Sequence, residues 1–210
     1  MTERTVLGVL LAGGLARRMG GGDKGLSVLG GRPMLDRIIE RARPQVSTLI
    51  LNANGDSERF AAYGLDVAPD VIEGFAGPLA GVLTGLEWAA ENAPDIQWVA
   101  TFATDAPFVP MDLVDRLDRA VAKDGADLAC ACSNGRAHPV FGLWPRRLAG
   151  DLRRAMIDED MRRIDRWTAR YKLTEVEFSA DPFDPFFNVN APENLAEAER
   201  LLSTEKRGAA

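Results

Sequence analysis

A glycine-rich segment with basic side chains follows the first apolar run of the chain. Residues 11–25 read LAGGLARRMGGGDKG. Glycines let backbone N–H groups approach an anion closely, and Arg17, Arg18 and Lys24 could neutralise phosphate oxygens. The spacing is neither that of a Walker A loop, which needs Gly-Lys followed by Ser or Thr, nor that of a dinucleotide-binding loop. The segment therefore indicates a phosphate site, with a flexible surface loop as the alternative reading.

A carboxylate, Asp105, follows the apolar run Trp98–Ala103. In α/β sheets, ligands bind beyond the carboxyl ends of the strands. Magnesium prefers oxygen donors and bridges to substrate phosphates, so Asp105 is a candidate ligand for Mg²⁺, with Mn²⁺ as a second option. An ordinary turn or helix-capping aspartate is the alternative. The loop and the acid together favour a nucleotide–metal site.

Two further polar pairs could face the same ligand. Asn188 and Asn190 are one residue apart, so in an extended segment they project to the same side, where they could bind a metal or phosphate. They could equally be turn and cap residues before the final helix. Asn52 and Asp70 follow two predicted strands and could read base edges or ribose hydroxyls, or be ordinary loop residues.

The composition narrows the classes of protein that the chain can be. It has 210 residues, 46% hydrophobic and 27% charged, with one histidine, two cysteines and a net charge of −6. Because His138 is the sole histidine, a zinc site built mainly from histidines is excluded. His138 itself either contacts a ligand or has a structural role. Cys130 and Cys132 alternate in a predicted strand and are expected in the core. The acidic balance disfavours nucleic acid, and the absence of a membrane span or signal peptide predicts a cytoplasmic protein.

The alternation of strand and helix patterns predicts an α/β fold. We expect a doubly wound, mostly parallel, Rossmann-like sheet. A strand over Val140–Trp144 follows its predecessor after a short turn and is expected to be antiparallel. The pattern predicts one domain over residues 1–202 and a frayed polar tail over residues 203–210. The parallel strands are predicted at Val6–Leu11, Thr48–Leu51, Leu65–Ala68, Trp98–Ala103 and Asp127–Cys132.

An arginine-rich segment occupies residues 146–170. It holds eight arginines and five acidic residues, a net charge of +3, so the rest of the chain carries −9. The segment has helical character. It is either a solvated helix face, the usual role of such charge runs, or a contact for an anionic partner.

Taken together, these motifs resemble those of the molybdenum cofactor guanylyltransferases, a family of nucleotidyltransferases. The resemblance covers nearly the whole chain in order: the loop at 11–25, GPLAG at 77–81, Asp105 with two prolines, HP at 138–139 and NVN at 188–190. The family makes the guanine dinucleotide form of the molybdopterin cofactor from GTP. The chain departs from it at Thr104, where a cysteine is frequent, and residues 151–170 match only loosely.

The resemblance implies roles for individual residues. Lys24 and Asp105 would be catalytic, with Asp105 also holding magnesium, and Asn188 and Asn190 would lie near the metal and the pterin. The nucleotide would be bound by Leu11, Ala12, Gly13, Lys24, Asn52, Asp70 and Asp105. The pterin's terminal phosphate would attack the α-phosphorus of GTP and release pyrophosphate, without a protein nucleophile. The arginine-rich segment is a candidate for holding the pterin's anionic groups.

The resemblance also implies partners. The small-molecule partners would be GTP and the molybdopterin cofactor, with molybdenum insertion enzymes or apo-molybdoenzymes as candidate protein partners. Two alternatives stay open from the residues alone. One is a related nucleotidyltransferase that uses CTP or a sugar phosphate, and the other is a nucleotide-binding regulator that has lost catalysis.

Overall fold

A seven-stranded sheet forms the centre of the protein in a computed structural model that describes residues 5–12, 24–74 and 77–208. The strands are β1 (Val6–Leu11), β2 (Val28–Leu29), β3 (Arg32–Pro33), β4 (Thr48–Asn52), β5 (Asp66–Ala68), β6 (Trp98–Ala103), β7 (Leu128–Ser133), β8 (Arg136–Pro145) and β9 (Leu173–Glu177). The order in the sheet is β5-β4-β1-β6-β8-β7-β9, and β2 and β3 form a separate small ribbon.

Helices cover both faces of this sheet. They are α1 (Met34–Ala42), α2 (Pro78–Asn92), α3 (Leu113–Asp124), α4 (Ala149–Asp158), α5 (Ile164–Thr168) and α6 (Pro192–Gly208), with 3₁₀ turns at Lys24–Leu26, Arg43–Gln45, Ser57–Tyr63 and Arg146–Leu148. In the parts of the chain that the structure describes, no helix is both long and apolar enough to cross a membrane.

The strand directions agree with the predicted mostly parallel sheet. Strand β1 pairs in parallel with β4 and β6, and β4 pairs in parallel with β5. Strand β8 runs antiparallel to both β6 and β7. It follows β7 through Asn134 and Gly135, both with positive φ, as a tight hairpin turn requires. The expected antiparallel strand is therefore confirmed, and it begins at Arg136 rather than at Val140.

Strand β1 is apolar along its whole length because both of its faces are buried. Its side chains alternate between the faces of the sheet: Val6 and Leu10 pack with α1 and α3, whereas Leu7 and Val9 pack with α2, α4 and α5. Those four residues are almost completely buried. Both faces are covered by helices, so no polar position is tolerated within the strand.

The chain ends differently from its prediction. Helix α6 continues through Gly208, beyond Leu202, after which the sequence predicted a frayed tail. Leu202 is buried against the cluster that includes Leu29 and Met34, and Glu205 pairs with Arg41. These contacts hold the polar last turns of α6 against the protein, although their composition alone predicted a frayed, solvent-exposed tail.

Candidate functional site

A cleft of about 990 Å³ opens where the parallel strands end. Leu11 lies opposite Asn52 on one side and Ala103 on the other, and Asn52 lies opposite Ala68. The carboxyl ends of four strands therefore reach the same edge of the sheet, which is where α/β sheets bind ligands. Residues from beyond each of these ends, and from the start of β8, line the cleft.

Three predicted residues from distant parts of the sequence meet at the middle of this edge. The Lys24 ammonium lies 3.4 Å from the Asp105 carboxylate, and it donates a hydrogen bond of 2.5 Å to Oδ1 of Asn190. The backbone fixes the arrangement, because the N–H of Val189 donates to the carbonyl oxygen of Asp105 at 2.7 Å. Asn188 also lines the cleft. The site thus combines a cation, a carboxylate and two amides.

The Asp105 carboxyl is largely shielded from solvent. Burial raises its pKa above the ordinary value, and the charge and hydrogen bond of Lys24 oppose that rise. A buried carboxylate beside a single lysine is a strong ligand for additional positive charge. Thr104, the residue before Asp105, turns back to donate its hydroxyl to the carbonyl oxygen of Leu11 at 3.0 Å, which ties the end of β6 to that of β1.

A second polar group occupies the ends of β4 and β5. The Asn52 amide donates to the Ala68 carbonyl and to one Asp70 carboxylate oxygen, at 3.1 and 2.9 Å. Asn54 donates to the other oxygen of Asp70 and accepts from its backbone N–H, both at 2.8 Å. The carboxylate of Asp70 is therefore held at a fixed orientation at the cleft wall. The sequence pattern includes Asn54 with Asn52 and Asp70 in this part of the site, but the family resemblance assigns the nucleotide only to Asn52 and Asp70.

Two glycines of the GPLAG motif shape the floor beside this group. Gly77 has a φ of 138°, which side-chain-bearing residues rarely adopt, and it caps α2 ahead of Pro78. Gly81 lies on the buried side of α2, where a Cβ atom would come within 2.4 Å of Leu11 Cδ2 and 2.5 Å of Asn52 Oδ1. The missing side chain lets the helix pack directly onto the strand ends that form the site.

The far wall of the cleft is made by the start of β8. The pairing of β8 with β7 shifts there: Ala131 lies opposite His138, and Cys130 lies opposite Gly142. The residues between His138 and Gly142 have no counterpart on β7, and Pro139 among them has no N–H to give to a ladder. This bulge places residues 136–141 along the cleft.

His138 belongs to a hydrogen-bonded chain that no sequence pattern indicates. Its Nε2 lies 2.7 Å from the Ser133 hydroxyl, which lies 2.9 Å from a carboxylate oxygen of Asp184. The ring packs against Phe186 at 4.8 Å between centroids. Burial lowers the pKa of His138, and the nearby Asp184 only partly offsets that effect. Asp184 lies in an irregular segment rich in proline and phenylalanine, where no periodicity indicates a partner.

Other expectations have mixed outcomes. Gly13, together with the rest of residues 13–23, lies outside the described residues. Leu11, Ala12 and Lys24 line the cleft as expected. Cys130 is fully buried, which raises its thiol pKa to about 12, so it is a core residue. Cys132 is also buried.

The arginine-rich segment does not reach the described wall of the cleft. Most of its arginines are paired with carboxylates near them: Arg147 with Asp127, Arg153 with Glu87, Arg154 with Asp151, Arg162 with Asp160, Arg163 with Asp165 and Arg170 with Glu159. The Arg162 carbonyl lies 3.9 Å from where a Cβ of Gly77 would lie. Within the described residues, the solvated-face alternative fits these pairs better than a direct ligand contact.

The donors available for a metal are few. Among residues 5–12, 24–74 and 77–208, no group of three or more histidine, cysteine, aspartate or glutamate side chains could hold an ion. The Asp105 carboxylate nevertheless suits Mg²⁺, which is commonly held by one or two carboxylates and completed by substrate phosphates and water. Asn188, which also lines the cleft, offers an amide oxygen.

The fold and this constellation define a nucleotidyltransferase. The sequence model of one protein family, the MobA-like NTP transferase domain, matches residues 8–174 of this chain. The chain is 56% identical to a molybdenum cofactor guanylyltransferase of Bradyrhizobium sp. strain ORS 278, over 99% of this chain and 98% of that protein. A relative of the same name from Rhodopseudomonas palustris strain BisB5 is 55% identical over 95% of each chain. The chain belongs to the molybdenum cofactor guanylyltransferase family.

The fold is also that of a solved relative. A crystal structure of the molybdopterin-guanine dinucleotide biosynthesis protein A from Archaeoglobus fulgidus aligns with a TM-score of 0.74, covering 94% of this chain and 99% of that one at 23% identity.

Proposed function

We propose that this protein transfers the guanylyl group of GTP to the terminal phosphate of the molybdopterin cofactor. A phosphate oxygen of the acceptor forms a bond to the α-phosphorus of GTP, and the bond to the β-phosphate oxygen breaks, so that pyrophosphate leaves. The observation that carries the proposal is the meeting of Lys24, Asp105 and Asn190 at the centre of the strand-end cleft. These residues supply charge and orientation, which is what phosphoryl transfer chiefly requires.

The cleft has two unlike arms on either side of this centre. One arm carries Asn52 and the fixed carboxylate of Asp70. A carboxylate with no proton of its own accepts N–H and O–H donors, so this arm suits the base or ribose of the nucleotide. The other arm is the start of β8, with His138. We assign GTP to the first arm and the pterin to the second, with the reacting phosphates between them.

Lys24 has a specific role in this proposal. In the structure its ammonium neutralises Asp105. When phosphates enter, the same ammonium lies within reach of their oxygens, and Asp105 becomes free to bind another cation. Asp105, with Asn188 and Asn190 beside it, would hold Mg²⁺, or Mn²⁺ in its place. That ion supplies positive charge to the phosphate oxygens when it is bound. Lys24 then adds fixed charge where the transition state accumulates it.

The experiment compares nucleotides and then products. Melting temperatures are measured with GTP, CTP and ATP, each with Mg²⁺, because a ligand at about 100 times its Kd adds about 2.7 kcal/mol of stability. The proposal expects the largest rise with GTP, and pyrophosphate release only when molybdopterin is added. A larger rise with CTP would favour a cytidylyltransferase. Binding of GTP without pyrophosphate release would favour a regulator that has lost catalysis.

A further inference from the structure

The start of β8 forms one arm of the cleft, here called the β8 arm. In it, the hydrogen bonds that link Asp184, Ser133 and His138 fix the position of a proton on His138. The Ser133 hydroxyl has one hydrogen, and Asp184, as a carboxylate, can only accept it. The 2.9 Å contact between Ser133 Oγ and Asp184 Oδ1 therefore uses the hydroxyl proton. The 2.7 Å contact between Ser133 Oγ and His138 must then be a hydrogen bond donated by Nε2–H.

This assignment leaves the other ring nitrogen as an acceptor. A neutral imidazole carries one proton, so Nδ1 of His138 has a free lone pair. Asp184 is itself held, because it accepts from the N–H of Phe186 at 2.9 Å. Nothing in residues 5–12, 24–74 and 77–208 donates to Nδ1. Nε2 points back to Ser133 on β7, so Nδ1 is the polar atom that the ring offers to a ligand in the cleft.

The surroundings of Nδ1 select the kind of ligand. Ala137 and Pro139 flank His138 along the cleft wall, so a flat ring can lie against apolar surface there. The lone pair of Nδ1 attracts an N–H donor and repels phosphate oxygens. The pyrimidine half of a pterin has such donors, a ring N–H and an amino group, and its phosphate extends away from them.

We propose that Nδ1 of His138 accepts an N–H hydrogen bond from the pyrimidine ring of the pterin and so determines how the acceptor substrate is oriented. Ser133 and Asp184 are positioning residues that keep the proton on Nε2. The inference rests on the proposed function, because it takes the pterin to be the ligand of the β8 arm. It adds a contact for the one substrate whose binding residues the central site does not supply.

Two substitutions separate the ring nitrogens. In His138→Gln, the side-chain amide can still donate to Ser133, but no acceptor remains at the place of Nδ1. In His138→Asn, the amide oxygen takes the place of Nδ1, and the bond to Ser133 is lost. We expect His138→Gln to raise the KM for molybdopterin about tenfold, the loss of one hydrogen bond. The KM for GTP should stay within about twofold, and His138→Asn, which keeps an acceptor but loses the bond to Ser133, should raise the KM for molybdopterin by less than His138→Gln does.

Several results would overturn this assignment. They are an unchanged KM for molybdopterin in His138→Gln, a rise in the KM for GTP instead, or a rise in His138→Asn as large as that in His138→Gln, because an acceptor at the place of Nδ1 would then make no difference. The melting temperature of each variant serves as the control for folding. A wild-type protein that binds GTP but transfers nothing to molybdopterin would contradict the proposed function and not the state of the histidine.

A measurement without turnover tests the proton position directly. His138 is the sole histidine of the chain, so ¹⁵N NMR of the protein labelled at histidine gives one pair of ring signals. We expect a protonated Nε2 and an unprotonated Nδ1 above the pKa of the ring. Ser133→Ala should leave a mixture of the two neutral forms. A proton on Nδ1 in the wild type would overturn the inference, whatever the protein catalyses.

Discussion

The ammonium of Lys24 donates a hydrogen bond to the side-chain oxygen of Asn190, although 166 positions separate the two residues in the sequence. Lys24 lies at the end of the glycine-rich segment, and Asn190 precedes the last helix. Two segments that are distant in the sequence therefore meet at Asp105, whose carboxylate forms an ion pair with the same lysine. Because the ammonium of Lys24 contacts both the carboxylate of Asp105 and the amide of Asn190, removing any one of the three side chains changes the environment of the other two.

Replacing Asp105 should abolish catalysis without unfolding the protein. Asp105→Asn removes the carboxylate but keeps the size of the side chain, and we expect kcat to fall about 10³-fold or more, as when a group that stabilises transition-state charge is lost. Steady-state pyrophosphate release checks this. Asp112→Asn is the matched control, because Asp112 is exposed and caps no helix with its side chain. Comparable activity in both variants would contradict the role of Asp105.

Removing the charge of Lys24 should impair use of the nucleotide. For Lys24→Met we expect kcat/KM for GTP to fall about 100-fold, equivalent to about 3 kcal/mol, since the partner carboxylate is left uncompensated. Lys123→Met, in the last turn of α3, is the control for loss of one positive charge. A Lys24 variant that uses GTP as efficiently as the wild type would show that the lysine serves the fold alone.

The carboxylate of Asp70 should depend on Asn54 for its orientation. Asn54→Ala removes two hydrogen bonds to Asp70, so the carboxylate can rotate away from the cleft. We expect the KM for GTP to rise about fivefold with kcat nearly unchanged, because ground-state and transition-state binding are lost equally. Asn92→Ala, at the end of α2, removes only a bond to the helix backbone and should leave both constants as they are. A fall in kcat without a change in KM would refute this prediction.

Adding a methyl group at Gly81 should disturb the arm of the cleft that carries Asn52 and Asp70, because α2 packs directly against Asn52 there. The methyl group introduced by Gly81→Ala would overlap Leu11 and the side-chain oxygen of Asn52, and that oxygen can move only by rotating the amide that holds Asp70. We expect a loss of about 1 kcal/mol of stability and a raised KM for GTP. Gly150→Ala, in α4, meets only the end of Arg154 at 3.9 Å and should instead stabilise the helix by up to about 1 kcal/mol. Thermal unfolding and GTP kinetics distinguish the two.

The lowered pKa of His138 should appear in the pH dependence of stability. Burial disfavours the imidazolium in the folded state, so the unfolded chain takes up the proton first as the pH falls. The contribution to stability is complete above the ordinary pKa of about 6.5 and is lost as the pH falls from there towards the folded pKa. An NMR titration of the single histidine gives the folded value, and unfolding free energies of the wild type and His138→Gln give the linkage. A titration midpoint above 6.5 would contradict this sign.

Local sequence patterns predict the architecture because they report local physics. The apolar run of β1 and the short turn before β8 each indicate one structural property, burial on both faces and antiparallel pairing, and both properties are found. Lys24 and Asp105, which the sequence assigned to a site beyond the strand ends, both line the cleft at that edge of the sheet. The chain from Asp184 through Ser133 to His138 could not be predicted, because 51 and 5 positions separate its bonded pairs and only the tertiary fold brings them together.

The hairpin that leads into β8 can accept changes of length more easily than the connections between the parallel strands can. The arm of the cleft that carries Asn52 and Asp70 is built from parallel strands joined by crossover connections, in which an insertion would displace packed elements. The β8 arm begins directly after the two-residue turn at Asn134 and Gly135, where changes of length are borne by solvent. A change of length in this turn would therefore move the β8 arm of the cleft without displacing the strands that carry Asn52 and Asp70.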